Sequence, residues 1–184
     1  MSLFGRTAVA ALALGFATLI VAPSAQATLP DCSEGSIRGA APSDAGPMLD
    51  RAFDWIHRAV PYCQCLVSGS GGYRSDCSGL VSWAWKLPPP GRITTEFAPF
   101  MTDLTKAIAG TDLRQGDAVN NSDHVMLFKA WVTKPTKATF IEEPGCSSST
   151  PYAHEFTATV TITGETVVVT SHGTFTAIRY PDAP

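Results

Sequence analysis

The chain has 184 residues, of which 45% are hydrophobic and 16% charged, and its formal net charge is −3. This composition is that of an ordinary globular protein, and it excludes a disordered or collagen-like chain. A mildly acidic chain without a basic run is also poorly suited to nucleic acid as its main partner. The five cysteines are an odd number, so at least one of them has no partner within the chain.

The first 27 residues have the pattern of a secretory signal peptide. Arg6 precedes an apolar run from Thr7 to Ala22, and Ala25-Gln26-Ala27 offers a small-residue cleavage site. The run is shorter than the roughly 20 residues that a membrane-spanning helix needs. We therefore expect cleavage after Ala27, no stable membrane insertion afterwards, and secretion to an extracellular, cell-wall or periplasmic location where disulfides are permitted.

The segment 28–46 is rich in Ala, Gly, Pro and Ser, and it predicts an extended leader. From Pro47 to Val60 apolar residues recur at helical spacing, which predicts an amphipathic helix that ends before Pro61. The charged residues of this helix, Arg51 and Arg58 among them, are expected on its solvated side, with His57 beside them.

A Gly/Ser loop over 66–75 precedes a second predicted helix, 76–87, for which Ser75 or Asp76 is a suitable N-cap. Residues 104–108 are expected to give another short helix. After Gly116 the pattern favours strands at 118–121, 124–131 and 137–143, followed by a Thr-rich β tail over 157–180. Helices first and strands second indicate an α+β fold, built as one domain over 47–184.

Cys77 is the candidate nucleophile of this chain. It falls in the first turn of the second predicted helix, where the helix dipole favours a thiolate and free N–H groups can receive an oxyanion. His124, which opens an apolar strand, is the candidate base. Its orienting partner would be Glu142 or Glu143, only one of which can share a face with His124 in an alternating strand.

Each of these residues also has an ordinary structural interpretation. A cysteine at a helix start in a secreted chain is often half of a disulfide or a core residue, and a histidine at a strand start is often a boundary residue. His154 and His172 have no acidic or thiol neighbour in a matched pattern and are interpreted as surface residues. Because no CxxC or HxxxH spacing exists, neither a metal nor another cofactor is expected.

Several segments in order resemble one family, the NlpC/p-sixty cysteine peptidases. Residues 76–81, DCSGLV, resemble its nucleophile signature, and Val60-Pro61-Tyr62 resembles its PY element. Residues 112–117, DLRQGD, resemble the L-x-x-GD segment, and Asp123-His124-Val125 stands where the base strand begins. The resemblance runs from about Pro47 to Gly145.

The resemblance implies a papain-like fold, with N-terminal helices packed on a mostly antiparallel sheet. It implies that Cys77 is the nucleophile, that His124 is the base and that Glu142 is the third member of the triad, with Glu143 as an alternative. Tyr62 matches the tyrosine whose hydroxyl approaches the cysteine. Asp76 and Ser78 would line the cleft.

Two features depart from the family pattern. The PY element continues into Cys63-Gln64-Cys65 rather than Trp-Gly-Gly. The Thr-rich hairpin over about 156–170 has no clear family counterpart, and we expect it to be an extension at the edge of the sheet.

By resemblance, the chain is a secreted, monomeric cysteine peptidase that hydrolyses peptidoglycan stem peptides, with the bond between D-γ-glutamyl and a diamino acid as the first expectation. Two other functions stay open. The same triad could serve an amidase or an acyltransferase that acts on another amide or ester, since a triad does not choose its acyl donor. The domain could also be a catalytically inactive secreted binding domain.

If Cys77 is the reduced nucleophile, four cysteines remain for disulfides: Cys32, Cys63, Cys65 and Cys146. A bridge between Cys63 and Cys65 would close a strained ring. We therefore expect Cys32 to pair with one of these two and Cys146 with the other.

Overall fold

The computed structural model describes residues 48–66, 71–145, 148–150 and 152–181. The predicted signal peptide 1–27 and leader 28–46 lie outside the described residues. So do Cys32, Cys146 and the side chain of Cys65, and with them the predicted disulfide pairing.

The chain forms two α-helices, α1 (Met48–His57) and α2 (Cys77–Ala84). Two short 3-10 helices follow at Thr94–Glu96 and Gly110–Asp112. Nine strands complete the described chain: β1 (Cys63–Leu66), β2 (Arg74–Ser75), β3 (Lys106–Ala107), β4 (Ala118–Asn120), β5 (Val125–Thr133), β6 (Lys137–Glu142), β7 (His154–Thr163), β8 (Thr166–Val169) and β9 (Gly173–Arg179).

The helix α1 has the predicted apolar side, and His57 is exposed as expected. The prediction of a solvated charged side is wrong for Arg51 and Arg58, which are both buried. The guanidinium of Arg51 donates two hydrogen bonds to the carbonyl of Ala84 at the end of α2, at 2.8 Å from Nε and 2.6 Å from Nη2. These bonds satisfy one of the carbonyl groups that the helix end leaves free, and they join α1 to α2.

The predicted helix over 104–108 is also wrong. Lys106 and Ala107 form β3 instead, paired with Arg179 and Ile178 of β9. The backbone groups of this short segment find partners in the sheet rather than within a helical turn.

The main sheet is antiparallel throughout and closes into a six-stranded barrel. Its strand order is β9-β4-β5-β6-β7-β8, and β8 pairs again with β9, while β3 lies beside the end of β9. The α+β class with mostly antiparallel strands is therefore confirmed. Closure of the sheet into a barrel was not part of the prediction.

The Thr-rich hairpin is part of this closure. β7 and β8 form the hairpin, and β8 then pairs with β9 from Thr166↔Thr176 to Val169↔Gly173. The expectation of an edge extension is wrong, because Val167 and Val169 are buried against residues from the other strands. A strand with this inward-facing apolar row is a wall of the barrel rather than a free edge.

Two apolar cores follow from the alternation of side chains along the strands. All six barrel strands contribute to one cluster, which fills the barrel interior and includes Val119, Met126, Phe128, Phe140, Ala158, Val167 and Phe175. The alternate positions Val125, Leu127 and Ile141 face the other way and pack with residues of α1 and α2. The start of α2 is thereby held beside the start of β5.

Candidate active site

The first turn of α2 carries Cys77 and is held by Asp76, the N-cap residue. Asp76 Oδ1 accepts hydrogen bonds from the backbone N–H of Gly79 at 2.9 Å and from Ser78 Oγ at 3.0 Å. Asp76 Oδ2 accepts from the Arg74 guanidinium. The predicted cap is confirmed, but Asp76 and Ser78 are each only 2% exposed. Their side chains are therefore buried and stabilise the turn.

Gly79 allows α2 to approach β2 closely. A Cβ atom at this position would lie 1.8 Å from the carbonyl oxygen of Arg74, which is far inside van der Waals contact. Any larger residue would push the helix start away from the strand. The glycine of the DCSG segment therefore sets where the Cys77 thiol lies.

Cys77 has a free thiol and is 7% exposed. Cys63 is disulfide-bonded, and its partner lies outside the described residues. Tyr62 directly precedes β1, the strand that pairs with β2. Its side chain is half-buried, and its hydroxyl accepts a hydrogen bond from Gln64 Nε2 at 3.0 Å. Burial raises the pKa of Tyr62; the Gln64 bond opposes this, and negative charge at Cys77 adds to it. Tyr62 is thus close enough to Cys77 for electrostatic interaction, as a protonated phenol.

His124 is placed by the turn that precedes β5. The side chain of Asn121 accepts hydrogen bonds from the backbone N–H groups of Asp123 at 2.9 Å and His124 at 2.8 Å, which closes an Asx-type turn. The imidazole packs edge-on against Phe175, with ring centroids 6.4 Å apart. The side chain of His124 is 23% exposed.

The structure brings Cys77, His124 and Glu142 together. His124 Nε2 lies 2.7 Å from Glu142 Oε2. Cys77 lies close enough to His124 to raise the pKa of the imidazole. The order thiol, imidazole and carboxylate is that of a nucleophile, its base and the group that orients the base.

The electrostatics of the site favour an imidazolium. Burial alone would lower the pKa of His124, but the hydrogen bonds with Cys77 and Glu142, and the negative charges of both, raise it to about 9. Burial would raise the pKa of Glu142, whereas the hydrogen bond and charge of His124 lower it. At neutral pH the base therefore carries its proton and Glu142 is ionised.

The alternation of β6 separates the two neighbouring glutamates. Glu142 lies on the side of Phe140 and faces His124, whereas Glu143 turns toward α1 and accepts a hydrogen bond from Trp55 Nε1 at 2.8 Å. Glu143 is 0% exposed, and burial raises its pKa to about 9, an effect that the bonds from Trp55 and the Ala153 backbone only partly oppose. The geometry therefore brings Glu142 to His124 and leaves Glu143 as a neutral buried acid.

Two further histidines reach the site, and sequence reasoning missed both. His154 Nε2 lies 3.5 Å and His172 Nε2 lies 3.4 Å from Glu142 Oε1. The prediction that they have no acidic neighbour is wrong, because both contact Glu142 and His154 is its direct cross-strand partner. His172 is exposed, as predicted for a surface residue, and His154 is partly exposed. The pairing of β6 with β7 would have indicated the contact between His154 and Glu142. The register of this pairing cannot be read from the sequence, because the long connection 143–153 separates the two strands.

Among the described residues, no group of three or more His, Cys, Asp or Glu side chains is arranged to hold a metal ion. Within the same part of the chain, no helix has the length and apolar character to cross a membrane.

Comparisons of the whole chain with models of protein families, with curated proteins and with solved structures found no match.

The buried acid Glu143 yields a prediction about stability. The folded chain keeps the Glu143 proton up to about pH 9, whereas the unfolded chain releases it near pH 4.5. The unfolded state therefore binds fewer protons over this window, and stability falls as the pH rises through it. Relative to the wild type, Glu143→Gln should raise the free energy of unfolding more at pH 8 than at pH 5, by up to about 4 kcal/mol.

Urea denaturation of both proteins at the two pH values measures this difference. Glu165→Gln, at an exposed turn position, is the matched control and should show no such dependence. An equal effect of Glu143→Gln at both pH values would contradict a neutral Glu143.

Proposed function

We propose that this protein is a secreted cysteine peptidase that hydrolyses amide bonds in peptidoglycan stem peptides. One observation carries the proposal: the free thiol at the first turn of α2 lies beside His124 and raises the pKa of its imidazole, and His124 Nε2 lies 2.7 Å from the buried carboxylate of Glu142. The resemblance of residues 76–81 to the NlpC/p-sixty signature points to the same chemistry.

The packing of the described residues supports a papain-like reading of the fold. The helix α2, which begins with Cys77, packs against antiparallel strands of the barrel. One of these strands, β5, begins directly after His124. This is the arrangement that the NlpC/p-sixty resemblance implies. The finer family assignment is part of the proposal.

In the first half of the reaction, the Cys77 thiolate attacks the amide carbonyl and forms a carbon–sulfur bond. The carbonyl electron pair moves to oxygen, where backbone N–H groups in the first turn of α2 can stabilise the charge. The His124 imidazolium then gives its proton to the amide nitrogen. The carbon–nitrogen bond breaks, the amine leaves, and a thioester joins the acyl group to Cys77.

In the second half, neutral His124 takes a proton from water as the water oxygen attacks the thioester carbonyl. Collapse of this second tetrahedral intermediate breaks the carbon–sulfur bond and releases the carboxylic acid. The thiolate and the imidazolium are restored together. Glu142 takes no proton in this sequence; it orients the ring and stabilises its charged form.

The substrate class rests on the resemblance, which makes the bond between D-γ-glutamyl and a diamino acid the first candidate. The signal-peptide pattern of residues 1–27 supports a location outside the cytoplasm, where peptidoglycan lies. No nucleic acid is needed by this chemistry.

Cys77→Ser should abolish release of stem-peptide fragments from purified peptidoglycan, because a serine hydroxyl in this site is not ionised by a neighbouring imidazolium. Mass spectrometry of the soluble muropeptides measures the release. Ser82→Ala, farther along α2, is a matched control that keeps Cys77 unchanged. Thermal unfolding of each variant shows that the fold is intact.

The cleaved bond distinguishes the rival functions. Fragments that end in D-γ-glutamate support the proposed peptidase, whereas separation of the whole peptide from the sugar would indicate an amidase. Products joined to an added amine would indicate an acyltransferase. Unchanged release by folded Cys77→Ser would refute a thiol mechanism.

Glu142→Gln tests the role of the carboxylate. Without this charge, the pKa of His124 should fall from about 9, so His124 loses its proton at a lower pH. We expect turnover at pH 8 to fall by roughly 10²-fold, with a smaller loss at pH 6. A pH profile of turnover measures this, with Glu165→Gln as the control; a uniform loss at every pH would contradict the proposed role.

A further inference from the structure

Three imidazoles surround the carboxylate of Glu142. Oε2 faces His124 Nε2 at 2.7 Å, and Oε1 faces His154 Nε2 at 3.5 Å and His172 Nε2 at 3.4 Å. The three rings come from the start of β5, the start of β7 and the turn before β9, which lie at the same end of the barrel. The reaction proposed above uses only His124.

The second nitrogen of each ring also faces an oxygen acceptor. Nδ1 of His154 lies 3.2 Å from the carbonyl oxygen of Tyr152, and Nδ1 of His172 lies 3.2 Å from that of Thr170. A carbonyl oxygen only accepts hydrogen bonds. Each ring therefore has an acceptor at both nitrogens, and only an imidazolium carries a hydrogen on both.

An ionised carboxylate oxygen is also only an acceptor. A neutral ring carries one N–H and can therefore donate to only one of the two oxygens that face it. The charged ring instead gives a charge-assisted contact. Both contacts with Oε1 are therefore attractive when His154 and His172 are protonated.

Phe156 of β7 keeps the two rings in place. His172 stacks on it with ring centroids 4.2 Å apart and an angle of 13° between the planes. The ring of His154 lies 6.0 Å from the same phenyl group. With side chains 33% and 26% exposed, His154 and His172 remain in reach of solvent protons.

We propose that His154 and His172 are positioning residues of the thiol site. In their protonated form they hold Oε1 of Glu142, so that Oε2 stays directed at His124. We call this pair the histidine clamp. The proposal rests on the proposed function, since it assigns a role within the same site.

Other titratable groups near the clamp have separate partners. Glu143 is neutral and bonded to Trp55. The remaining charged or titratable groups around the site are Cys77 with His124, Tyr62 with Gln64, Asp76 with Arg74, and Glu155 with Lys129. Among the described residues, Glu142 is thus the carboxylate that the rings of both His154 and His172 contact.

The clamp should matter most in acid. Burial would raise the pKa of Glu142, but the hydrogen bond and charge of His124 lower it, and the charges of His172 and His154 lower it further. The clamp therefore keeps Glu142 ionised and bound to His124 where acid would otherwise neutralise it.

The test compares wild type with His154→Phe, His172→Phe and the double variant, since phenylalanine keeps the stacking on Phe156 and removes Nε2. The rate of Cys77 alkylation by iodoacetamide is measured from about pH 4 to pH 9. The acid limb of this profile should move upward by about one pH unit in the double variant, with smaller shifts in the single variants. The rate at pH 8 should change little, and exposed His57→Phe should match wild type throughout.

An unshifted acid limb in the folded double variant would overturn the clamp, and so would an equal loss of rate at every pH. If the phenylalanine variants do not fold, His154→Gln and His172→Gln serve instead. Glutamine can donate to Oε1 but cannot become charged, so the same upward shift is expected. Iodoacetamide needs no substrate, so a wild-type Cys77 without rapid alkylation would refute the thiol site itself, whereas a missing shift would refute only the clamp.

Discussion

The hydrogen bond between Glu142 and His124 is the contact on which the site depends, and it requires β5 and β6 to pair in register. Glu142 ends β6 and His124 precedes β5, and these strands are antiparallel neighbours. A slip of one residue would direct Glu143 toward His124 and bury Glu142 against α1. Strand pairing and the chemistry of the site are therefore set by the same alternation.

Glu142 and Glu143 show how the two faces of one strand can give one residue type opposite ionisation. Glu142 lies among imidazoles, whose charge lowers its pKa despite partial burial. Glu143 lies behind the strand against Trp55, where desolvation dominates and the acid stays neutral. Neutral Glu143 joins α1 to β6, and ionised Glu142 is hydrogen-bonded to His124. Two adjacent residues therefore serve the packing of the fold and the electrostatics of the candidate site.

Local signals made much of the site predictable from the sequence. Asp76 as a helix cap, Cys77 in the first turn and His124 before an apolar strand are each readable within a few residues, and Asp76 and Gly79 have the physical roles that such a turn needs. The features that the sequence did not predict depend on contacts between residues that are far apart in the chain. Arg51 is buried because it caps a different helix, and β8 closes a barrel whose partner strand β9 no local pattern identifies.

His154 and His172 belong to this non-local part, and they change how the site is understood. In sequence they are single histidines in a Thr-rich tail. In the fold, cross-strand pairing places His154 opposite Glu142, and the turn before β9 brings His172 to the same oxygen. Because the hairpin that carries His154 is a wall of the barrel, the strands that complete the fold also supply the groups that surround the acid of the site.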